Sequence, residues 1–289
     1  MILITGATGT VGQALIQQLV KANEPIRVFT RDAAKVTHLA DRAEIAVGDL
    51  YQPETLVPAL RDVERMFLLD FESEQVRRTL EAARRTGLKH IVKLSTIEAG
   101  NEPMIGHGKS HREREKLIEA SGLDWTFLRP TIFMSNAFEW LPTIQQDGKV
   151  YYAGGDGQVS PIDPWDIAAV AVAALTKDGH AGQGYALTGS ELLSFGDMTR
   201  ILADVLDRPL EYVDIPDSAV APHYLQVGLP AHVVDGLVEA FAAIRIGRFA
   251  YTTDWVQRIT GCTPRTFQQW CQENKGAFLG TVTPPSWGE

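Results

Sequence analysis

The feature that most constrains this chain is a turn near its start. Ile2-Leu3-Ile4 is an apolar triplet, and Thr5-Gly6-Ala7-Thr8-Gly9-Thr10-Val11-Gly12 follows it directly. Val11, Leu15, Ile16 and Leu19 then recur at helical spacing. A buried strand therefore runs through a glycine-rich turn into an amphipathic helix. Gly6 permits the tight turn out of the strand. Gly9 lets the backbone approach a ligand, and Gly12 lets the helix pack closely on the sheet. The helix start supplies free N–H groups and the positive end of a dipole, which suit a pyrophosphate. The glycine spacing alone is a weak signal. The strand before it and the helix after it make it a dinucleotide site, with Gly6, Thr8, Gly9, Thr10, Val11 and Gly12 as candidate contacts.

The rest of the first half alternates in the same way. Residues 25–30, 44–47, 63–69, 90–94 and 125–128 read as strands, and 74–85 and 111–120 as helices. This alternation implies an α/β fold, a Rossmann-type doubly wound parallel sheet with right-handed crossovers. Ligands of such sheets bind at the carboxyl ends of the strands. After the second strand stands Thr30-Arg31, with Lys35 one turn on. A carboxylate there would hold the ribose hydroxyls of NAD, whereas a guanidinium attracts the 2′-phosphate of NADP. The expected cofactor is therefore NADP(H) rather than NAD(H). Asp32 reads as the cap of the next helix. Asp49, past the third strand, is either an acceptor for an adenine amino group or a turn carboxylate. Leu50, Leu69, Asp70 and Pro130 stand at or just past the ends of strands three, four and six and are expected along the same crevice.

With 289 residues, 45% of them apolar, the chain has enough core for one large domain or a domain plus a lobe. Residues 1–189 read as the NAD(P)-binding domain, with 131–160 contributing to the pocket. Residues 190–289 read as a smaller C-terminal substrate lobe of helices and loops. A formal net charge of −9 disfavours nonspecific binding to nucleic acid or an anionic membrane. Two cysteines, Cys262 and Cys271, make neither a disulfide framework nor a zinc motif. No apolar stretch is long enough to span a bilayer, and the apolar start ends at Gly6, too soon for a signal peptide. The expectation is a cytoplasmic protein, monomer or homodimer, acting on a small molecule.

Further motifs add to the turn: Arg31-Asp32, Gly48-Asp49-Leu50, Lys93-Leu94-Ser95-Thr96, residues 121–130, Phe133-Met134-Ser135-Asn136, residues 161–168 and residues 185–189. Together they resemble the NmrA-like branch of the short-chain dehydrogenase/reductase superfamily, over nearly the whole chain. That branch includes NADP(H)-dependent quinone reductases and non-catalytic redox sensors. The resemblance implies a Tyr-x-x-x-Lys pair at the start of the helix after strand five. With Glu115 aligned to the glutamate that often follows, this chain carries His107 and His111 there instead.

His107 would then replace the tyrosine as general acid, since imidazole delivers a proton near neutral pH. His111 would hydrogen-bond the nicotinamide ribose, and Ser95 or Thr96 would orient the substrate. The competing reading is that both histidines are ordinary residues of a protein without proton chemistry. As a metal site the pair lacks a glutamate and a third ligand. Residues 131–140 follow strand six, and Phe133, Met134 and Asn136 either line the site for a flat apolar acceptor or belong to lobe core. Two functions follow. One is hydride transfer from NADPH to a conjugated acceptor such as a quinone or enone. The other is a redox sensor that passes the NADP(H) ratio to a protein partner.

Overall fold

Strands made of unbroken apolar residues need cover on both faces, and the inner strands of this chain receive it. The structure is a computed structural model and describes residues 1–283. Its main sheet uses β1 (Ile2–Ile4), β2 (Ile26–Thr30), β3 (Glu44–Val47), β4 (Arg65–Leu68), β5 (His90–Leu94) and β6 (Asp124–Pro130). After β7 (Lys149–Tyr152) and β8 (Gln158–Val159), β9 (Gln183–Leu187) completes it. The order is β3-β2-β1-β4-β5-β6-β9, with every pairing parallel. The winding direction reverses between β1 and β4, which opens a crevice at their carboxyl ends.

On one face lies α1 (Thr10–Lys21). The other carries α2 (Pro53–Ala59), α3 (Ser73–Ala83) and α4 (His107–Glu119). Beyond α5 (Leu141–Asp147), α6 (Pro164–Thr176) packs beside α1. Its alanine-rich surface allows that close approach. Its start is set by Asp163, whose carboxylate accepts from the Trp165 N–H at 2.8 Å.

A second core lies beyond the carboxyl edge. Here β10 (Leu193–Ser194) pairs antiparallel with β8, and β11 (Glu211–Asp214) pairs parallel with β7. The helices are α7 (Phe195–Leu206), α8 (Val220–Gln226), α9 (Ala231–Arg245), α10 (Trp255–Thr260) and α11 (Phe267–Phe278). Tyr152 sits at its centre, edge-on to Phe195 and Phe241 at 4.7 and 5.1 Å. This core joins residues 134–159 to residues 195–278. The four lobe strands are absent from the sequence reading, because pairs of two to four residues leave no period to detect. Residues 134–140, read as an apolar segment, form a 3-10 turn (Met134–Trp140).

Helix α4 starts at His107, four residues before the expected 111. Gly106 takes a φ of +46° to turn the chain into it, and its N–H donates to the Glu239 carboxylate of α9 at 2.5 Å. Among the described residues no helix is long and apolar enough to cross a membrane.

Candidate active site

The glycine turn closes on itself. Gly6, at a φ of +67°, accepts from the Gly9 N–H at 3.1 Å. A Cβ added at Gly12 would collide with the Gly6 carbonyl oxygen. The Thr5 hydroxyl accepts from the Leu69 N–H at 2.7 Å and so ties the end of β1 to the end of β4. Gln13 holds the Thr8 carbonyl at 2.7 Å. Gly9 caps α1 without any side chain, so the first N–H groups of the helix face the crevice.

That crevice is a groove of about 480 Å³. Of the expected contacts, it brings together Gly6, Thr8, Gly9, Thr10, Val11, Gly12, Arg31, Asp49, Leu50, Leu69 and Phe133. Arg31 and Lys35 stand on its wall at the far end of the glycine turn, where a 2′-phosphate belongs. Asp32 caps the following 3-10 turn through the Ala34 N–H at 2.9 Å, as expected. Asp49 lies on the groove wall and is also a turn carboxylate, accepting from the Tyr51 N–H at 2.9 Å. The cradle, the helix end, the cations and the volume fit a dinucleotide carrying an extra phosphate.

Other candidates lie elsewhere. Asp70 stands between the groove residues Leu69 and Phe71, but its carboxylate turns through the sheet to the α4 side. There it pairs with Lys93 Nζ at 2.7 Å and Arg114 Nε at 2.6 Å, and it is fully buried. It does not line the groove, because those two cations hold it. Pro130 is buried where β6 pairs with Leu187. Met134 is buried in the lobe core, and Asn136 is half-buried in the 3-10 turn. Neither of these three lines the groove. Ser95 is buried too, and its hydroxyl donates to Glu115 Oε1 at 2.7 Å. Arg129 grips the same carboxylate from β6 through Nε and Nη2 at 2.9 and 2.8 Å. Ser95 thus joins a lock between β5, α4 and β6.

The two histidines do share a face of α4, one turn apart. The His107 ring lies against the backbone of Gly236 in α9, where a Cβ would strike it. Burial lowers its pKa, and the Arg114 charge lowers it further. His111 is half-buried, and its Nδ1 is fully buried with no hydrogen-bond partner. Burial holds its pKa well below the usual histidine range, helped by the Lys93 and Arg114 cations. Burial also pulls Lys93 down, against the Asp70 carboxylate. Thr96, half-buried, caps the short turn Ile97–Gly100, where Glu98 is buried. Burial raises Glu98 to about 7; Arg248 opposes the shift and Glu239 adds to it.

Lys93, Arg114 and Glu98 escaped the sequence reading. A lysine inside the apolar strand His90-Ile91-Val92-Lys93-Leu94 was a usable signal, since a buried lysine needs a partner. Glu98 offered none, because the charges that act on it, Arg248 and Glu239, lie far along the chain.

Comparison with known proteins agrees with this geometry. The NAD(P)H-binding family matches residues 6–178. An NAD(P)H azoreductase from Xenophilus azovorans is 36% identical over 96% of this chain and 99% of its own. A (4-alkanoyl-5-oxo-2,5-dihydrofuran-3-yl)methyl phosphate reductase from Streptomyces griseus is 37% identical over the same shares. An NADPH-dependent quinone oxidoreductase from Escherichia coli, solved with NADPH, superposes with a TM-score of 0.84 at 26% identity. That match covers 94% of this chain and 99% of the other. The matched fold, the glycine cradle and the Arg31 wall converge on one assignment: the chain belongs to the NAD(P)H-binding family and is an NADP(H)-dependent oxidoreductase.

Proposed function

We propose that this chain transfers a hydride from NADPH to a small conjugated acceptor whose far end is an oxygen or nitrogen. The observation that carries the reading is the pairing of an intact cofactor groove with histidines at the positions of the expected tyrosine and lysine. When bound, NADPH supplies the hydride itself. The chain must orient it, exclude water and accommodate the charge that forms. The glycine turn and the α1 N-terminus hold the phosphates, and Arg31 with Lys35 selects the 2′-phosphate. Leu94 and Phe133 make an apolar end of the groove, where a flat acceptor would lie.

The relatives' substrates support this. A quinone, an azo group and an unsaturated lactone ring share one reactivity: hydride adds at one end of the π-system and the electron pair moves to a heteroatom. Solvent then protonates that atom. An isolated ketone needs a proton delivered as the hydride arrives, which is the task of the missing tyrosine. No observation favours the sensor reading.

The test is the loss of NADPH absorbance with a panel of quinones, azo dyes, enones and simple ketones. Turnover of at least one conjugated acceptor, and of no simple ketone, is expected. Ketone reduction at a comparable rate, or no turnover at all, would overturn the assignment.

A further inference from the structure

We propose that Phe71, with Tyr51 beside it, forms an aromatic wall that holds the adenine ring of the bound dinucleotide. The inference concerns the cofactor alone and does not depend on the acceptor. Phe71 is the most exposed aromatic residue among the described residues, at 65%, and it lines the groove. Tyr51, 42% exposed, lines it too. An exposed ring on the wall of a ligand groove is apolar surface that a bound ligand can cover.

The fold puts both rings on one wall. Tyr51 lies between β3 and α2, and Phe71 between β4 and α3. Those two helices cover the face of the sheet opposite α1. The glycine turn, which leads into α1, therefore makes one wall of the groove, and the two rings belong to the facing one. The Tyr51 hydroxyl hydrogen-bonds the side chain of Glu72, the residue after Phe71, so the two loops touch. That hydroxyl also feels the Arg31 charge. Phe71 is thereby tied to the half of the groove that holds Arg31, Lys35 and Asp49, where the adenosine of a 2′-phosphorylated dinucleotide belongs. Leu94 and Phe133 come from the β5 and β6 side and stand at the other end.

The Phe71 backbone is fixed by the protein itself. Its N–H donates to Gln75 Oε1 at 2.7 Å, and its carbonyl accepts from Arg114 Nη1 at 2.9 Å. Arg114 is buried and pairs with Asp70, which pairs with Lys93. Side chains alternate along extended chain, so Leu69 and Phe71 face the groove while Asp70 between them turns to those cations. The buried charges thus clamp the strip of chain that carries the ring. A ring on a fixed backbone loses only side-chain freedom on contact, so the ordering cost is small. A purine presents a flat π face of the kind that stacks on phenylalanine and tyrosine.

The probes are NADPH, NADH and 2′,5′-ADP, which carries the adenine and the extra phosphate but no nicotinamide. Titration calorimetry reads their Kd values for the wild type, Phe71→Ala and Phe71→Tyr. Phe71→Ala should raise all three by the same factor, about 10-fold, inside the roughly 5- to 150-fold range for removing an aromatic ring from a base. Phe71→Tyr keeps a flat ring and should stay within about threefold. This pattern separates Phe71 from Arg31, whose loss should fall on the two probes with the extra phosphate and largely spare NADH. An unchanged 2′,5′-ADP Kd in Phe71→Ala would overturn the proposal; with NADPH weakened, it would place the ring at the nicotinamide half. A loss in Phe71→Tyr as large as in Phe71→Ala would overturn it too, because the flat face would not be what binds. Proton NMR of the wild type with labelled phenylalanine decides the contact without any substitution. Cross-relaxation between the Phe71 ring and the adenine protons of bound 2′,5′-ADP is expected, and its absence would refute the inference.

Discussion

At the scale of one residue, Arg31 is the proposed determinant of cofactor choice. It lines the groove at the end of β2, where a carboxylate would have rejected a phosphate. Arg31→Ala should weaken NADPH by about 1–3 kcal/mol, roughly 5- to 150-fold in Kd, and NADH far less. Titration calorimetry with both cofactors checks this, and equal losses would show that Arg31 does not meet the 2′-phosphate. Gly12 is constrained by space rather than charge. Gly12→Ala places a methyl group against the Gly6 carbonyl, so α1 must shift away from the turn. The expected result is a loss of about 1–3 kcal/mol in stability together with weakened NADPH binding, read by thermal melts with and without cofactor. The positions of both residues were legible in the sequence because they depend on local backbone, a turn and a strand end.

Helix α4 marks where that legibility stops. Its existence and polar outer face follow from the sequence, but its buried polar face does not. Glu115 is fully buried and gathers Ser95, Arg129 and Arg112 from three elements. Arg112, three residues before it, is a local helical neighbour, but Ser95 lies 20 residues before it and Arg129 14 after it, a relation that only the strand order β5-β6 creates. The same holds for Asp70, which the sequence places at a strand end beside the cofactor. The pleat turns it to the opposite face, toward Lys93 and Arg114. Alternation along β4 and β5 was hard to read, because buried parallel strands are apolar on both faces. Glu115→Gln leaves the half-buried Arg129 guanidinium with a neutral partner in place of a bidentate carboxylate. A loss of about 3 kcal/mol in urea unfolding is expected. A change below about 0.5 kcal/mol would mean the lock is replaced by solvent.

At the scale of the whole molecule, sheet and lobe meet in a seam of charged groups that neither half defines alone. Glu98 comes from the turn after β5. Glu239 of α9 takes the Gly106 N–H, and the Arg248 guanidinium donates to the Pro103 carbonyl. Burial of Glu98 in this seam removes its water, and so raises its pKa from the usual 4.5 to about 7. The sign of the consequence follows. The folded state holds this proton more tightly than the unfolded chain does. The resulting stabilisation is complete below about pH 4.5 and is lost as pH rises to about 7. Glu98→Gln keeps the neutral shape at every pH. Relative to it, the wild type should weaken by roughly 3 kcal/mol between those limits and run parallel above about pH 8. Urea unfolding of both proteins across that range reads the difference directly. Curves parallel from acid to neutral pH would mean that Glu98 ionises as it does in water, and therefore that the seam admits solvent. A gap that opens with pH would mean that the lobe is closed on the sheet even without a ligand, so that the acceptor enters a site already largely dry.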